Sequence, residues 1–315
     1  MAEQRPDLSI VIVSYNTRDL TRQCLQSVYE NTQGIGFEIR VVDNSSSDDS
    51  VEVIQQEFPQ VHIIENDANK GLAAATNQGL AASAGRYVLA LNSDTVVQPG
   101  ALDRLVEFMD SHPEAGGATA RLVRPDGGEH PPVCGKVPTP KFELLEALAP
   151  FSQRIASAAS AERLGNVIDY TDTQEVPCIW WGTAFVARCE VIETVGLQDP
   201  RFFVYGEDVD WSMRMTKAGW KLYYVADAEV IHHGGQSTKQ AGTKMNAQMY
   251  KSRCRLIRKH YGVLPSTALR LVLVTVCSIR AAKWVLLYVT RPSVRQKAAR
   301  RVSEMWAVTR AVITY

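Results

Sequence analysis

Four short apolar runs, each closed by polar residues and followed by a helix-patterned stretch, constrain this chain more than any other feature. They are residues 8–13 (LSIVIV), 37–42, 61–64 and 87–91. Runs this short and apolar read as buried strands of a parallel sheet, provided helices lie between them. Leu20, Cys24, Leu25 and Val28 recur at helical spacing after the first run, as do Val51, Ile54 and Phe58 after the second. Asp48 and Asp49 follow a serine run and suit a capped, acidic helix start. Pro99 opens a third clear helix, with Leu102, Leu105, Val106 and Met109 on one face. The alternation predicts an α/β fold with right-handed crossovers. Ligands of such sheets sit beyond the carboxyl ends of the strands, so the residues that close each run carry the interest.

Beyond the fourth run the pattern loosens. Residues 124–172 carry PDGG, several further prolines and an Ala/Ser-rich helical stretch, with no regular sheet predicted. Order returns at residues 176–234, where strand-like WWGTAFVA precedes the acidic GEDVDW. Residues 222–225 and 229–232 read as two short strands, and no internal repeat is visible.

A chain of 315 residues with 45% hydrophobic and 22% charged residues is globular rather than disordered. Its net charge of zero hides an asymmetry. From Pro265 onward nine basic residues face one acid, Glu304, so the tail carries +8 and the rest −8. An acidic body with a basic, apolar tail suggests a membrane surface and argues against nucleic acid. Residues 271–279 are apolar, but spanning needs about 20 such residues, and Arg270, Arg280 and Lys283 interrupt. On an ideal helix these three and Arg291 fall within roughly 140°, which leaves a broad apolar face for a helix lying in the membrane interface. Leu271, Val272, Val274, Val276, Ile279 and Val285 are the residues expected to enter it. A helix docked on the body of the protein, or on a second copy in a homodimer, would show the same pattern. The domains drawn from sequence are therefore 1–262 and a basic amphipathic tail, 263–315. Six cysteines without a CxxC pair read as reduced thiols, and the polar residues 1–7 carry no secretory signal. Both point to the cytoplasm, at the inner face of the membrane.

The polar closures carry the chemistry. Ser14-Tyr15-Asn16 ends the first run and Asp43 the second. An acid at that place can accept hydrogen bonds from a nucleobase or ribose, although a strand-end turn needs no function. Asn69-Lys70-Gly71 enters a helix that carries Asn77, and Lys70 can meet phosphate there; an ordinary helix entry would look the same. Asn92-Ser93-Asp94 closes the fourth run, where a carboxylate suits Mg²⁺ or Mn²⁺ bridging to phosphate oxygens. Glu207, Asp208 and Asp210 pack three carboxylates into four positions, and a helix N-terminus or a nearby cation must offset their repulsion. His232-His233 before two glycines favours a metal ligand over a structural histidine.

The order of these segments is more specific than any one of them. IVIVSYN, VVDNSSSDDS, NKGLAAATNQG, GRYVLALNSDT, GTAF, FFVYGEDVDWSMR and HHGG, over about residues 8–235, resemble the family 2 glycosyltransferases, in particular their rhamnosyltransferase-like bacterial branch. The resemblance implies the GT-A fold, a mostly parallel Rossmann-like sheet flanked by helices, here with a C-terminal helical extension. It implies a nucleoside-diphosphate sugar donor, held by Ser14, Tyr15, Asn16, Asp43, Asn69, Lys70, Gly71, Asn77, Asn92, Ser93 and Asp94, with Asp43 on the base. It further implies Mn²⁺ or Mg²⁺ on Asp94 and His232, with His233 the weaker choice, and Asp208 as general base with Glu207 beside it. Trp181, Gly182, Thr183 and Tyr205 would face a saccharide or lipid-linked saccharide acceptor. The implied reaction is a single, inverting displacement in cell-surface polysaccharide synthesis, with dTDP-rhamnose the leading donor. Asn92 replaces a carboxylate that many relatives carry, and Trp180-Trp181 is bulky for its place; two indoles can stack on a pyranose or simply pack. A sugar-nucleotide pyrophosphorylase would carry a glycine- and arginine-rich loop where this chain has SYNTRDL. A catalytically silent nucleotide-sugar-binding protein would not need Asp94, Asp208 and His232 together.

Overall fold

The computed structural model describes residues 5–128, 130–164, 169–235 and 242–314, so the first four residues of the polar N-terminal stretch lie outside it. The expected alternation is present: β1 (Leu8–Ser14), α1 (Arg18–Asn31), β2 (Phe37–Asp43), α2 (Ser50–Glu57), β3 (His62–Glu65), α3 (Leu72–Ala82) and β4 (Tyr87–Asn92). Then come β5 (Thr95–Val97), α4 (Ala101–Ser111), β6 (Ala115–Val123) and β7 (Cys134–Gly135). After two helices given below follow β8 (Gln174–Val176), β9 (Cys178–Ile179), β10 (Ala184–Arg188), α7 (Cys189–Val195), α8 (Glu207–Lys217) and β11 (Lys221–His232). The main sheet runs β3-β2-β1-β4-β10-β6-β11-β5, with β8 beside β11. β1 pairs in parallel with both β2 and β4, and β10 enters antiparallel between β4 and β6. The chain thus has the α/β architecture expected, a mostly parallel sheet covered by helices.

Apolar continuity in the strands follows from that cover. Leu8, Ile10, Ile12, Ile39, Val41 and Leu89 are all essentially inaccessible, as are Leu25 of α1 and Leu102 of α4. Two sequence expectations change. Residues 222–225 and 229–232 belong to one strand, β11, whose pairing with β6 jumps from Val225↔Ala120 to Glu229↔Arg121. Ala226, Asp227 and Ala228 leave the ladder as a bulge, which breaks the period that made two strands of one. The region expected to lack sheet contributes β7, paired antiparallel with β9; two-residue strands carry no readable period.

The chain divides into two compact units, the first holding the sheet and its helices. The second is helical: α5 (Pro140–Leu148), α6 (Gln153–Leu164), α9 (Thr243–Tyr261), α10 (Val263–Thr290) and α11 (Arg295–Ile313), with the short segment Val204–Gly206. The sequence division at 262/263 falls inside this unit. Ala147, Cys254, Ile257, Leu269, Leu273, Cys277, Met305, Val308 and Val312 form one apolar cluster that ties α5 and α9 to the tail helices. Arg253 also donates to the buried Glu143, and Arg270 donates to Val312 O and Ile313 O at the end of α11, each at 2.9 Å.

Within this unit α10 has two faces. Ser266, Leu269, Leu273, Val276 and Cys277 are buried, whereas Leu264, Leu271, Ile279, Val285, Leu286 and Val289 are exposed. At 100° per residue the two groups occupy opposite arcs of about 100° and 120°. Val276, expected to enter lipid, is instead core, and Val272 and Val274 pack against that core.

Helix α3 packs closely on the sheet at Gly79, where an added Cβ would lie 2.3 Å from Val11 Cγ1. Alanine would gain about 1 kcal/mol of helix propensity, but forcing a methyl against buried Val11 costs about 1–3 kcal/mol. Gly79→Ala is expected to lower stability, read as a fall in the urea midpoint without a change in slope.

Candidate functional site

In-register parallel pairing sets the site. Ser14 on β1 lies opposite Asp43 on β2, and Val13 opposite Asn92 on β4. Three polar strand ends therefore stop at one level of the sheet edge. Asp43 is buried; its Oδ2 accepts Ser46 N–H at 2.8 Å while Oδ1 has no hydrogen-bond partner. A buried carboxylate oxygen in that state is a ready acceptor for a base or ribose donor. Tyr15 and Asn16 form the turn above, with Asn16 at φ 51 and its Oδ1 accepting Ser47 N–H at 2.8 Å. Ser14, Thr17, Thr21 and Ser93 are linked by hydroxyl contacts of 3.1–3.4 Å, among them Thr17 Oγ1 to Ser93 Oγ at 3.1 Å.

The Asn69-Lys70-Gly71 turn is held by Asn44, a residue the sequence did not single out. Asn44 Oδ1 accepts Lys70 N–H at 2.9 Å, and its amide donates to Asn69 Oδ1 at 3.0 Å. Gly71 has φ +86, and a Cβ there would lie 2.6 Å from Phe203 O, which accepts Leu72 N–H. The turn thus needs glycine on two counts. Lys70 is partly exposed and pairs with Asp67 at 3.5 Å. Asn77, expected near the donor, is engaged elsewhere: it donates to Gln198 O at 2.7 Å and accepts Gln198 N–H at 3.0 Å. That two-sided bridge gives it a structural role.

The three clustered carboxylates separate by partner. Asp210 is fully buried and pairs with Arg214 one turn on, at 2.9 Å. Arg214 also donates to Leu197 O at 2.8 Å, so this pair serves the fold. Asp208 accepts Gly182 N–H on Oδ2 at 2.8 Å and Val209 N–H on Oδ1 at 2.7 Å, in the first turn of α8. Burial, then the neighbouring Asp208 charge, holds the Glu207 carboxyl well above the usual carboxylate range. Gly182, expected to face an acceptor, thus has a second task. A Cβ there would lie 3.2 Å from Asp208 Cβ, tight enough to disturb the N–H that orients the carboxylate. Thr183 is buried, and its carbonyl accepts Asn92 N–H at 2.9 Å. Tyr205 belongs to the helical unit, and φ values of 67 there and 88 at Gly206 turn the chain into α8.

Asp94 and His232 are brought together across β5 and β11, where His232 is opposite Thr95. His232 Nε2 lies 3.3 Å from Asp94 Oδ1, and both side chains are buried. That nitrogen has no hydrogen-bond partner. An imidazole nitrogen and a carboxylate oxygen converging in this way would suit a divalent cation such as Mn²⁺ or Mg²⁺. Among the described residues no third His, Cys, Asp or Glu joins them. His233 instead donates its backbone N–H to Asp94 O at 2.9 Å. Sequence reasoning missed His130, whose Nε2 is 2.9 Å from His232 Nδ1. It lies 102 residues from its partner in a Pro/Gly-rich stretch, and no local spacing could reveal it. Burial holds its pKa below the usual histidine range. Trp181 meets both rings edge-on, with centroids 4.9 Å from His130 and 6.1 Å from His232. All six cysteines are unpaired, and burial pushes Cys24, Cys134 and Cys254 to about 12, as for inert core thiols.

The fold is that of GT-A glycosyltransferases. GalNAc-T7, solved with UDP, GalNAc and Mn²⁺, superposes with TM-score 0.56 at 19% identity, covering 81% of this chain and 48% of that one. A mannosyltransferase from Pyrobaculum calidifontis, solved with GDP-Man and Mn²⁺, gives 0.54 at 16% identity, covering 99% and 87%. Residues 9–155 match the glycosyl transferase family 2 model and residues 87–313 the glycosyl transferase family group 2 model, so the chain belongs to the family 2 glycosyltransferases. An N-acetylglucosaminyl-diphospho-decaprenol L-rhamnosyltransferase of Mycobacterium tuberculosis is 29% identical over 259 residues, 78% of this chain and 82% of the relative. The chain is a rhamnosyltransferase-like member of the family.

The Asp94–His232 geometry makes a prediction. Asp94→Ala and His232→Ala should each weaken Mn²⁺ and nucleoside diphosphate binding together, by calorimetry with and without metal, whereas His233→Ala should retain both. Loss in His233→Ala alone would reassign the ligand by one residue.

Proposed function

We propose that this chain is a metal-dependent, inverting glycosyltransferase that moves rhamnose from dTDP-rhamnose to a lipid-linked saccharide at the cytoplasmic face of the membrane. The observation that carries the reading is the buried, unpartnered His232 Nε2 facing Asp94 Oδ1, joined through Trp181-Gly182 to an oriented Asp208. The rhamnosyltransferase relative, with its diphospho-decaprenol acceptor, supports the donor and the acceptor class. Mn²⁺ in both structural neighbours supports the metal.

A divalent ion held by Asp94 and His232 would neutralise charge on the departing diphosphate. The protein's own groups do the rest. Asp43 Oδ1 takes a donor hydrogen bond from base or ribose, and Lys70 can swing from its exposed contact with Asp67 toward phosphate. Asp208 accepts the proton of the acceptor hydroxyl as that oxygen bonds C1 and the C1–phosphate bond breaks. Two backbone N–H groups fix its oxygens, so the base is oriented before substrate arrives. Glu207, with its carboxyl pushed up, is poorly suited to a nucleophilic role, and Asp210 is committed to Arg214. Both points support a single displacement over a double one.

A panel of sugar nucleotides should give transfer with dTDP-rhamnose above the others, and proton NMR of the product should show inverted anomeric configuration. Asp208→Asn should keep donor-induced thermal stabilisation yet lower kcat by at least about 10²-fold. Retention of a tenth of kcat would remove Asp208 as the base.

Membrane contact falls to the exposed arc of α10. Among the described residues α10 is the one helix long and apolar enough to cross a bilayer, but its opposite face is committed to the helical unit's own core. We place it in the interface, with Leu264, Leu271, Leu286 and Val289 toward lipid. The tail's basic residues contribute about 1 kcal/mol each near anionic lipid, a share that salt screens. Vesicle sedimentation should therefore show binding that weakens with salt without vanishing. Leu271→Asp combined with Leu286→Asp should abolish it while leaving transfer to a soluble acceptor intact.

A further inference from the structure

We propose that His130 is a positioning residue that fixes the tautomer and ring orientation of His232, so that the bare Nε2 of His232 faces Asp94. The inference rests on the metal-site reading of Asp94 and His232. It follows from acceptor bookkeeping around two rings. His130 Nδ1 lies 2.9 Å from Pro131 O. A carbonyl oxygen only accepts, so Nδ1 must carry the hydrogen and donate it. In the neutral ring Nε2 is then a bare acceptor, and it lies 2.9 Å from His232 Nδ1. That contact is a hydrogen bond only if His232 Nδ1 carries the hydrogen. His232 Nε2 is left with its lone pair directed outward, 3.3 Å from Asp94 Oδ1 and without a hydrogen-bond partner. Two electron-pair donors held this way repel each other in isolation and converge on a cation when one is bound. The backbone carbonyl of Pro131 thus sets, through two imidazoles, which atom of His232 faces the ion; partners of this kind commonly fix the orientation of metal-binding histidines.

Local structure explains how His130 reaches a strand end so far away in sequence. Trp180 and Trp181 both donate their backbone N–H to Val133 O, at 2.8 and 3.3 Å, and β7 pairs with β9 immediately beyond. This clamp ties the segment after His130 to the segment that precedes Gly182. Trp181 then packs edge-on against both histidine rings. The indole is used to hold the relay, which accounts for a bulky residue at a position where the family resemblance led us to expect a smaller one.

The test uses the full-length protein, Mn²⁺ with dTDP as probe, and no turnover. Nitrogen-15 NMR on histidine-labelled, metal-free protein should show His232 protonated at Nδ1. Mn²⁺ titration by electron paramagnetic resonance should show about 10–100-fold weaker binding in His130→Leu. His130→Gln, whose side-chain oxygen can accept the same hydrogen, should restore affinity to within about threefold of the parent on that scale. A His232 protonated at Nε2 in the unaltered protein would overturn the proposal whatever the variants do. So would parental affinity in His130→Leu, or a loss in His130→Gln as deep as in His130→Leu with both folded by circular dichroism. His232→Ala measured alongside separates the two claims: loss there with none in His130→Leu overturns the role of His130 alone, and loss in neither overturns the metal site as well.

Discussion

Strands β2, β1 and β4 run parallel and in register, so Asp43, Ser14 and Asn92 finish at one level. A slip of one residue would reverse the face of every side chain on the moved strand and carry these groups away from each other. The apolar runs prevent such a slip, because both faces of the sheet are covered and no polar residue within a run can be buried without penalty. Ser9 is the exception that tests this, and its buried hydroxyl donates to Glu38 at 2.6 Å. The level at which these polar groups meet thus depends on strand pairing set by hydrophobic burial several residues below them.

The Asp208 end of the candidate site depends on a different device. β10 enters antiparallel between β4 and β6, and the residues leading into it deliver Gly182 to Asp208 and Thr183 to Asn92. One short segment therefore orients the candidate base and anchors the strand end that precedes Asp94. The absence of a side chain at residue 182 permits the approach, since a methyl there would crowd Asp208. Asn92 hydrogen-bonds through its backbone and approaches Thr183 Oγ1 at 3.4 Å. Its side chain supports the scaffold, and the charge at this strand end is left to Asp94.

The helical unit coheres across the boundary that the charge pattern draws. The basic run begins near residue 265, whereas the apolar cluster that makes the unit cohere starts at α5 and includes Cys254 and Ile257 of α9. Glu143, buried, pairs with the partly buried Arg253 in the same unit. Such pairs are modest contributors to net stability, but removing one partner strands a charge, at a cost of about 3–5 kcal/mol. The pair therefore serves to keep α5 and α9 matched.

Much of this was legible from residues alone. Hydrophobic period and polar run ends gave β1 to β4, their helices and the strand-end groups Asp43 and Asp94, and the acidic and histidine clusters pointed to Asp208 and His232, because short-range patterning is what burial imposes on neighbouring residues. The sequence could not assign the three carboxylates of α8, since their partners Gly182, Arg214 and the buried surround of Glu207 are identified only in three dimensions. Nor could it show Asn77 bound to Gln198, Asn44 holding the Lys70 turn, or His130 against His232, which join residues 121, 26 and 102 positions apart. Each such contact is a hydrogen bond between single side chains or backbone groups, with no periodicity to announce it. The sequence determined which elements form and what chemistry stands at their ends; the tertiary structure decided which of those groups meet, because hydrogen-bond geometry is satisfied at distances near 3 Å and chain separation places no limit on which residues supply it.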